Sequence, residues 1–201
     1  MPQPAVMQKL TREQLMSLEE YARVREEFRA KVMAHKKDRR LHIGPHASLY
    51  FEDALTMQYQ VQEMLRVERI FEPQGIAEEI AAYNPLIPDG SNWKATFMIE
   101  YGDEKERQAA LARMIGIEHK VWVRVHGFDR VWPVADEDLD RTAPDKTSSV
   151  HFLRFELSPE MIRAVKSGAA VSMGIDHPAY SYVVEPVPEA VRVALARDLC
   201  A

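Results

Sequence analysis

Val121, Val123 and Val125 alternate with Trp122, Arg124 and His126, and a two-residue period returns across 93–101, 150–157 and 170–184. Such a period sends neighbouring side chains to opposite sides of a pleated strand, so each segment asks for one apolar and one polar surface. Segments of helical period lie between them. The clearest is 54–71, where Met57, Val61, Met64, Leu65 and Phe71 form an apolar stripe beside Gln58, Gln62, Arg66 and Arg69. Asp53 stands before it as an N-cap, and Ser17 with Glu20 forms a capping box that opens an earlier helix. Shorter helices are predicted over 76–82, 104–115, 158–168 and 188–199. The order has no regular βαβ repeat. The predicted fold class is therefore α+β: a single, mostly antiparallel or mixed sheet with helices packed on it. Within that sheet, 121–134 reads as a hairpin. Residues 40–52 read as two short strands or one bulged strand, and 170–184 as one segment bent at Asp176-His177-Pro178.

The chain has 201 residues and 46% hydrophobic content, enough for a core without covalent staples. Residues 1–201 are read as a single domain, with 1–10 as a flexible N-terminal extension. The one cysteine, Cys200, allows no internal disulfide and no multi-cysteine zinc site. No apolar run is long enough to span a bilayer, and the N-terminus lacks the basic and apolar regions of a secretory signal. A cytoplasmic protein without membrane attachment is expected. A net charge of −5 argues against nucleic acid as partner.

Familiar catalytic signatures are absent: no glycine-rich phosphate loop, no nucleophile elbow, no paired-histidine zinc motif. Several candidates remain. Lys36, Lys37, Arg39 and Arg40 form a tight basic run, matched by an acidic stretch over 129–145. Such runs are solvated faces in most proteins, and the sharper reading is a pair of docking patches. The turn-rich loop 84–92 carries Asn84, Asp89 and Asn92, which fit either backbone turns or a ligand loop. Arg66 and Arg154 are charged residues on an amphipathic helix and a strand, Arg66 being read first as a surface ion-pair residue. His46, Glu63, His151 and His177, with His42 and Glu52 nearby in sequence, could hold iron or zinc if they met in space. Their spacing gives no local pair. His151 alternates with Leu153 and Phe155, which favours a hydrogen-bonded core histidine.

The chain also resembles a bacterial family of about this length that is catalogued as a domain of unknown function. The similarity runs through Leu10-Thr11-Arg12, Ala34-His35-Lys36-Lys37, Gly44-Pro45-His46, 59–66, 83–90, 151–156 and Asp176-His177-Pro178-Ala179-Tyr180. The resemblance implies a genomic setting beside rubrerythrin and an iron–sulfur reductase-like protein, hence redox or iron metabolism. It implies no catalytic residues.

The leading expectation is an accessory or binding protein that needs no cofactor and engages a protein or small-molecule partner. The alternative is a metal-binding protein or metal-dependent enzyme built on the His/Glu set. A third reading is a small-molecule sensor with a pocket between the long helix and the sheet.

Overall fold

The computed structural model describes residues 9–200. Six α-helices and eight strands follow one another: α1 (Leu18–Lys37), β1 (Arg40–His42), β2 (Ala47–Phe51), α2 (Ala54–Val67), α3 (Pro73–Tyr83), β3 (Asn92–Ile99), α4 (Glu104–Arg113), β4 (Val121–Val125), β5 (Val134–Ala135), β6 (Val150–Glu156), α5 (Pro159–Lys166), β7 (Val171–His177), β8 (Tyr180–Val184) and α6 (Glu189–Ala196).

The strands form two antiparallel sheets rather than the single sheet expected. The larger has the order β1-β2-β3-β6-β5 and the smaller β4-β7-β8. Alternation reports which face of a strand is apolar, and it cannot report which neighbour the strand pairs with. Two local features decide the pairing of β4. Its valines Val121, Val123 and Val125 are fully buried, and on its other face Trp122 lies over Gly174 of β7. A Cβ at position 174 would stand 2.5 Å from the indole, so only glycine lets β7 run beside β4 here. The hairpin expected over 121–134 is reduced to one bridge, Val123 to Val131. The chain then leaves the smaller sheet, and Val134–Ala135 pairs with Arg154 and Leu153 of β6.

The apolar faces of both sheets contribute to one core. Leu49, Phe51, Trp93, Phe97 and Phe155 from the larger sheet share it with Val123, Met173 and Ile175 from the smaller, and α4, α5 and α6 add Leu111, Val165 and Leu195. A second apolar cluster joins Leu10 and Leu15 to Met57, Val61 and Leu65 of α2, Ile76 of α3, and Ile87. Helix α2 starts where its cap predicts, with Asp53 Oδ1 accepting from the Thr56 amide at 2.9 Å. It ends at Val67, earlier than expected, because Arg69 turns into the left-handed region at φ 53°. Residues 40–52 resolve into the β1–β2 hairpin. Gly44, at φ 72°, makes its turn beneath Tyr180 and Tyr182. The segment 170–184 folds back on itself as the β7–β8 hairpin rather than bending once.

Of the extension expected over 1–10, residues 1–8 lie outside the described residues. Lys9 and Leu10 are tied down: Lys9 Nζ is 2.7 Å from Asp89 Oδ1, and Leu10 donates its amide to Asn84 Oδ1 at 2.8 Å.

Candidate functional site: a groove on the outer face of the larger sheet

The face of β2, β3 and β6 turned away from the core carries Tyr50, Lys94, Thr96, Met98, Phe152 and Arg154. Lys94 and Arg154 are direct partners in the β3–β6 register. Like charges directly opposite each other destabilise a sheet unless neighbours neutralise them. Here they do. Arg154 donates Nε and Nη2 to the two oxygens of Glu137, each at 2.9 Å, and Nη1 to Glu156 Oε2 at 2.7 Å. Lys94 Nζ is 2.8 Å from Asp89 Oδ2 and donates to the carbonyl of Pro85 at 2.7 Å. Its side chain is 10% exposed, a depth at which an ammonium needs these partners. Asn92 Nδ2 bridges Asp89 and Glu156, and the Ser91 hydroxyl donates to Glu156.

The network sets the charge of its members. Arg154 holds the Glu137 carboxyl below the ordinary carboxylate range. Burial works to raise Glu156 and Asp89, but their hydrogen bonds outweigh it: both are lowered, by Ser91, Arg154 and Asn92 at Glu156 and by Lys9, Lys94 and Asn92 at Asp89.

Beside these charges lies a recess of about 280 Å³, walled by Tyr83, Pro85 and Leu86 from the end of α3 and floored by Phe152. A second recess of about 480 Å³ lies over the same face, bordered by Tyr50, Glu52, Met57 and Met98. Tyr83, Leu86 and Phe152 line both. Together they form a groove between α2, the end of α3 and the sheet.

The candidates named from sequence divide. Arg154, Asp89 and Asn92 meet at one end of the groove, and Lys36 borders the other. Asn84 is held elsewhere, exchanging two hydrogen bonds with the backbone of Leu10. The basic run splits. Lys37 and Arg40 are exposed, with Arg40 over the Tyr50 ring at 5.0 Å, whereas Arg39 is 3% exposed. As α1 ends and β1 begins, the chain turns Arg39 inward to Asp198 Oδ2 at 2.5 Å and to the carbonyls of Phe51 and Glu52. Arg39 is therefore a core residue and no part of a surface patch.

The four proposed metal ligands stay apart. Glu63 pairs with Arg25 and Arg66 and accepts from Tyr21. His46 stacks on Tyr101 with ring centroids 3.9 Å apart. His177 contacts the Ile115 carbonyl and the Ala179 amide. His151 is fully buried, with Nδ1 2.6 Å from Asp136 Oδ2 and Nε2 2.9 Å from Thr147 Oγ1. His42 contacts the Ser48 hydroxyl. Among the described residues no group of three or more His, Cys, Asp or Glu side chains is arranged to hold a metal ion.

Sequence reasoning did not single out Lys94, Tyr83 or Phe152, and it took Glu137 only as part of the acidic stretch 129–145. A signal existed for Lys94: it is the one charged residue in a mostly apolar strand, Asn92–Ile99, where a lysine demands a partner.

Fold and site define a two-sheet α+β protein with a groove on one outer sheet face. The chain belongs to the family described as Protein of unknown function (DUF3501), whose profile matches residues 9–199. It is similar to a novel protein of unknown function from Burkholderia pseudomallei, solved by crystallography at 1.90 Å. The two share 50% identity over 96% of this chain and 100% of that one, with a TM-score of 0.92. No curated protein matches. Among the described residues no helix is long and apolar enough to cross a membrane.

Proposed function

We propose that this protein binds a small organic molecule in the groove between α2 and the larger sheet, as an accessory or sensor protein without chemistry of its own. The observation that carries this reading is the pair of recesses sharing Tyr83, Leu86 and Phe152. A concave surface with an apolar lining and a few convergent polar groups is what small-molecule sites present. The ionisable groups around Arg154 favour binding over proton transfer. Glu137 and Glu156 are lowered, whereas a general acid or base works best with a pKa near the operating pH. The metal-dependent alternative is not adopted, because its ligands sit on separate elements, each engaged with other groups. The family resemblance supplies the setting, a cytoplasmic redox or iron system that would make or consume the ligand.

The test uses three compounds with one ring and different charge: phenethylamine, 2-phenylethanol and 3-phenylpropionate. Each is titrated at millimolar concentration into isotope-labelled protein. At least one is expected to shift the amide resonances of Tyr83, Thr96, Met98 and Phe152, and Met98→Trp, which fills the groove, is expected to remove the shifts. Absence of shifts with all three overturns the reading.

A further inference from the structure

We infer that the groove selects a ligand bearing a protonated amine on an apolar or aromatic body, with Glu52 as its anchor; this rests on the groove being a binding site.

Glu52 follows β2 and lies at the side of the second recess, 5% exposed. Its Oε1 accepts from the Thr96 hydroxyl at 2.7 Å and its Oε2 from the Thr56 hydroxyl at 2.6 Å. Both donors are neutral. Among the described residues no Lys, Arg or His nitrogen lies within 4.0 Å of this carboxylate. Of the other buried acidic residues, Asp53 and Asp198 each have Arg39 within that range, whereas Glu118, like Glu52, accepts from two threonine hydroxyls, with the rings of His119 and His151 at 3.7 and 3.8 Å. A carboxylate taken out of water ordinarily carries a counter-charge, because hydroxyl donors alone do not replace its hydration. Glu52 is thus a buried acid with no arginine or lysine within that range, and unlike Glu118 it lines this recess.

The walls of that cavity suit a cation. Tyr83 offers an aromatic ring, Tyr50 and Phe152 offer the ring faces left by the guanidinium groups of Arg40 and Arg141, and Met57 and Met98 offer polarisable thioethers. Aromatic faces attract ammonium groups, the more so when water is excluded. Lys36 and Glu100 line the same recess with opposite charges. A carboxylate anchor, aromatic walls and an apolar continuation past Leu86 towards the first recess together describe an aralkyl or alkyl amine.

The charge series decides the matter. Phenethylamine is expected to bind at least about thirtyfold more tightly than 2-phenylethanol or 3-phenylpropionate, the discrimination of one desolvated charge pair. Glu52→Gln, which keeps an acceptor for Thr56 and Thr96, is expected to bring the amine to the affinity of the alcohol. Equal binding of the three compounds, or amine binding unchanged in Glu52→Gln, overturns the amine inference and leaves the groove reading standing. Binding of none overturns both. If Glu52→Gln does not fold, the series on the unaltered protein still decides.

Discussion

Lys94 and Arg154 stand directly opposite each other in the β3–β6 ladder, two cations side by side at the end of a groove. Their repulsion is offset by Asp89 on one side and by Glu137 and Glu156 on the other. The sheet thus depends on charges delivered by two loops, Asp89 before β3 and Glu137 after β5, together with Glu156 at the end of β6 itself. The loop residues and the strand residues hold each other in place, which gives the groove its edge.

Arg154→Ala should therefore loosen that edge. It leaves Glu137 without its arginine and Glu156 with Ser91 and Asn92 as its donors. Because Arg154 is 27% exposed and the carboxylates are about half exposed, the expected cost is about 1 kcal/mol. Urea denaturation measures it, and faster hydrogen exchange over 136–142 should accompany it. An unchanged midpoint with unchanged exchange would show that the loop is held by other contacts.

Arg25 binds both oxygens of Glu63, Nε at 2.7 Å and Nη2 at 2.9 Å, joining α1 to α2. This is the arginine that a carboxylate on an otherwise half-apolar helix requires. Arg25, with Tyr21 and Arg66, holds the Glu63 carboxyl down at about 2 against the opposing effect of burial. A lowered carboxyl contributes stability that is present above its ordinary pKa, 4.5, and is lost as pH falls through about 2. Glu63→Gln should remove about 2 kcal/mol at neutral pH and flatten the decline between those values. Denaturant melts over that pH range provide the measurement.

Arg39 and Asp198 form the opposite case. Burial raises the Asp198 carboxyl to about 6, although Arg39 works to lower it. A raised carboxyl takes up a proton on folding, so its contribution is present below the ordinary value of 3.8 and is lost as pH rises through about 6. Asp198→Asn should abolish that slope. At neutral pH it should change stability by only about 1 kcal/mol, since burying a neutral amide in place of a disfavoured carboxylate offsets the loss of one of the two charged partners of Arg39. Equal slopes in the two proteins would place the proton elsewhere.

The basic run offers a related comparison. Replacing Lys36, Lys37 and Arg40 together by Ser should change stability by under about 0.5 kcal/mol per site, whereas Arg39→Ser should cost about 3 kcal/mol or more. Thermal melts of the two variants separate surface cations from a buried one.

Gly174→Ala places a methyl 2.5 Å from the Trp122 ring and 2.9 Å from the Tyr182 carbonyl. Neither neighbour can withdraw, since Trp122 is itself enclosed and the carbonyl is backbone. The variant should lose about 3 kcal/mol by overpacking. Near-ultraviolet circular dichroism of Trp122 reports the same event independently, and an unperturbed spectrum would argue that the sheet yields.

Much of the local structure was legible in the chain itself. Ser17, Asp53 and Ser158 mark the starts of α1, α2 and α5 because a short oxygen-bearing side chain satisfies amides that a helix start leaves open, and that chemistry lies within four residues. The α+β class and the buried character of His151 follow likewise from local period. Pairing and convergence did not follow. That β4 joins β7 rather than the larger sheet depends on a glycine 52 positions from Trp122, from 122 to 174. That Arg39 turns inward among its exposed neighbours depends on Asp198 near the other end of the chain. That Thr56 of α2 and Thr96 of β3 both reach Glu52 depends on how α2 returns to the larger sheet. Local pattern determines which residues can be inside a strand or a helix. Which of them meet is decided only when distant segments compete for the same partner, and the groove is made entirely of such meetings.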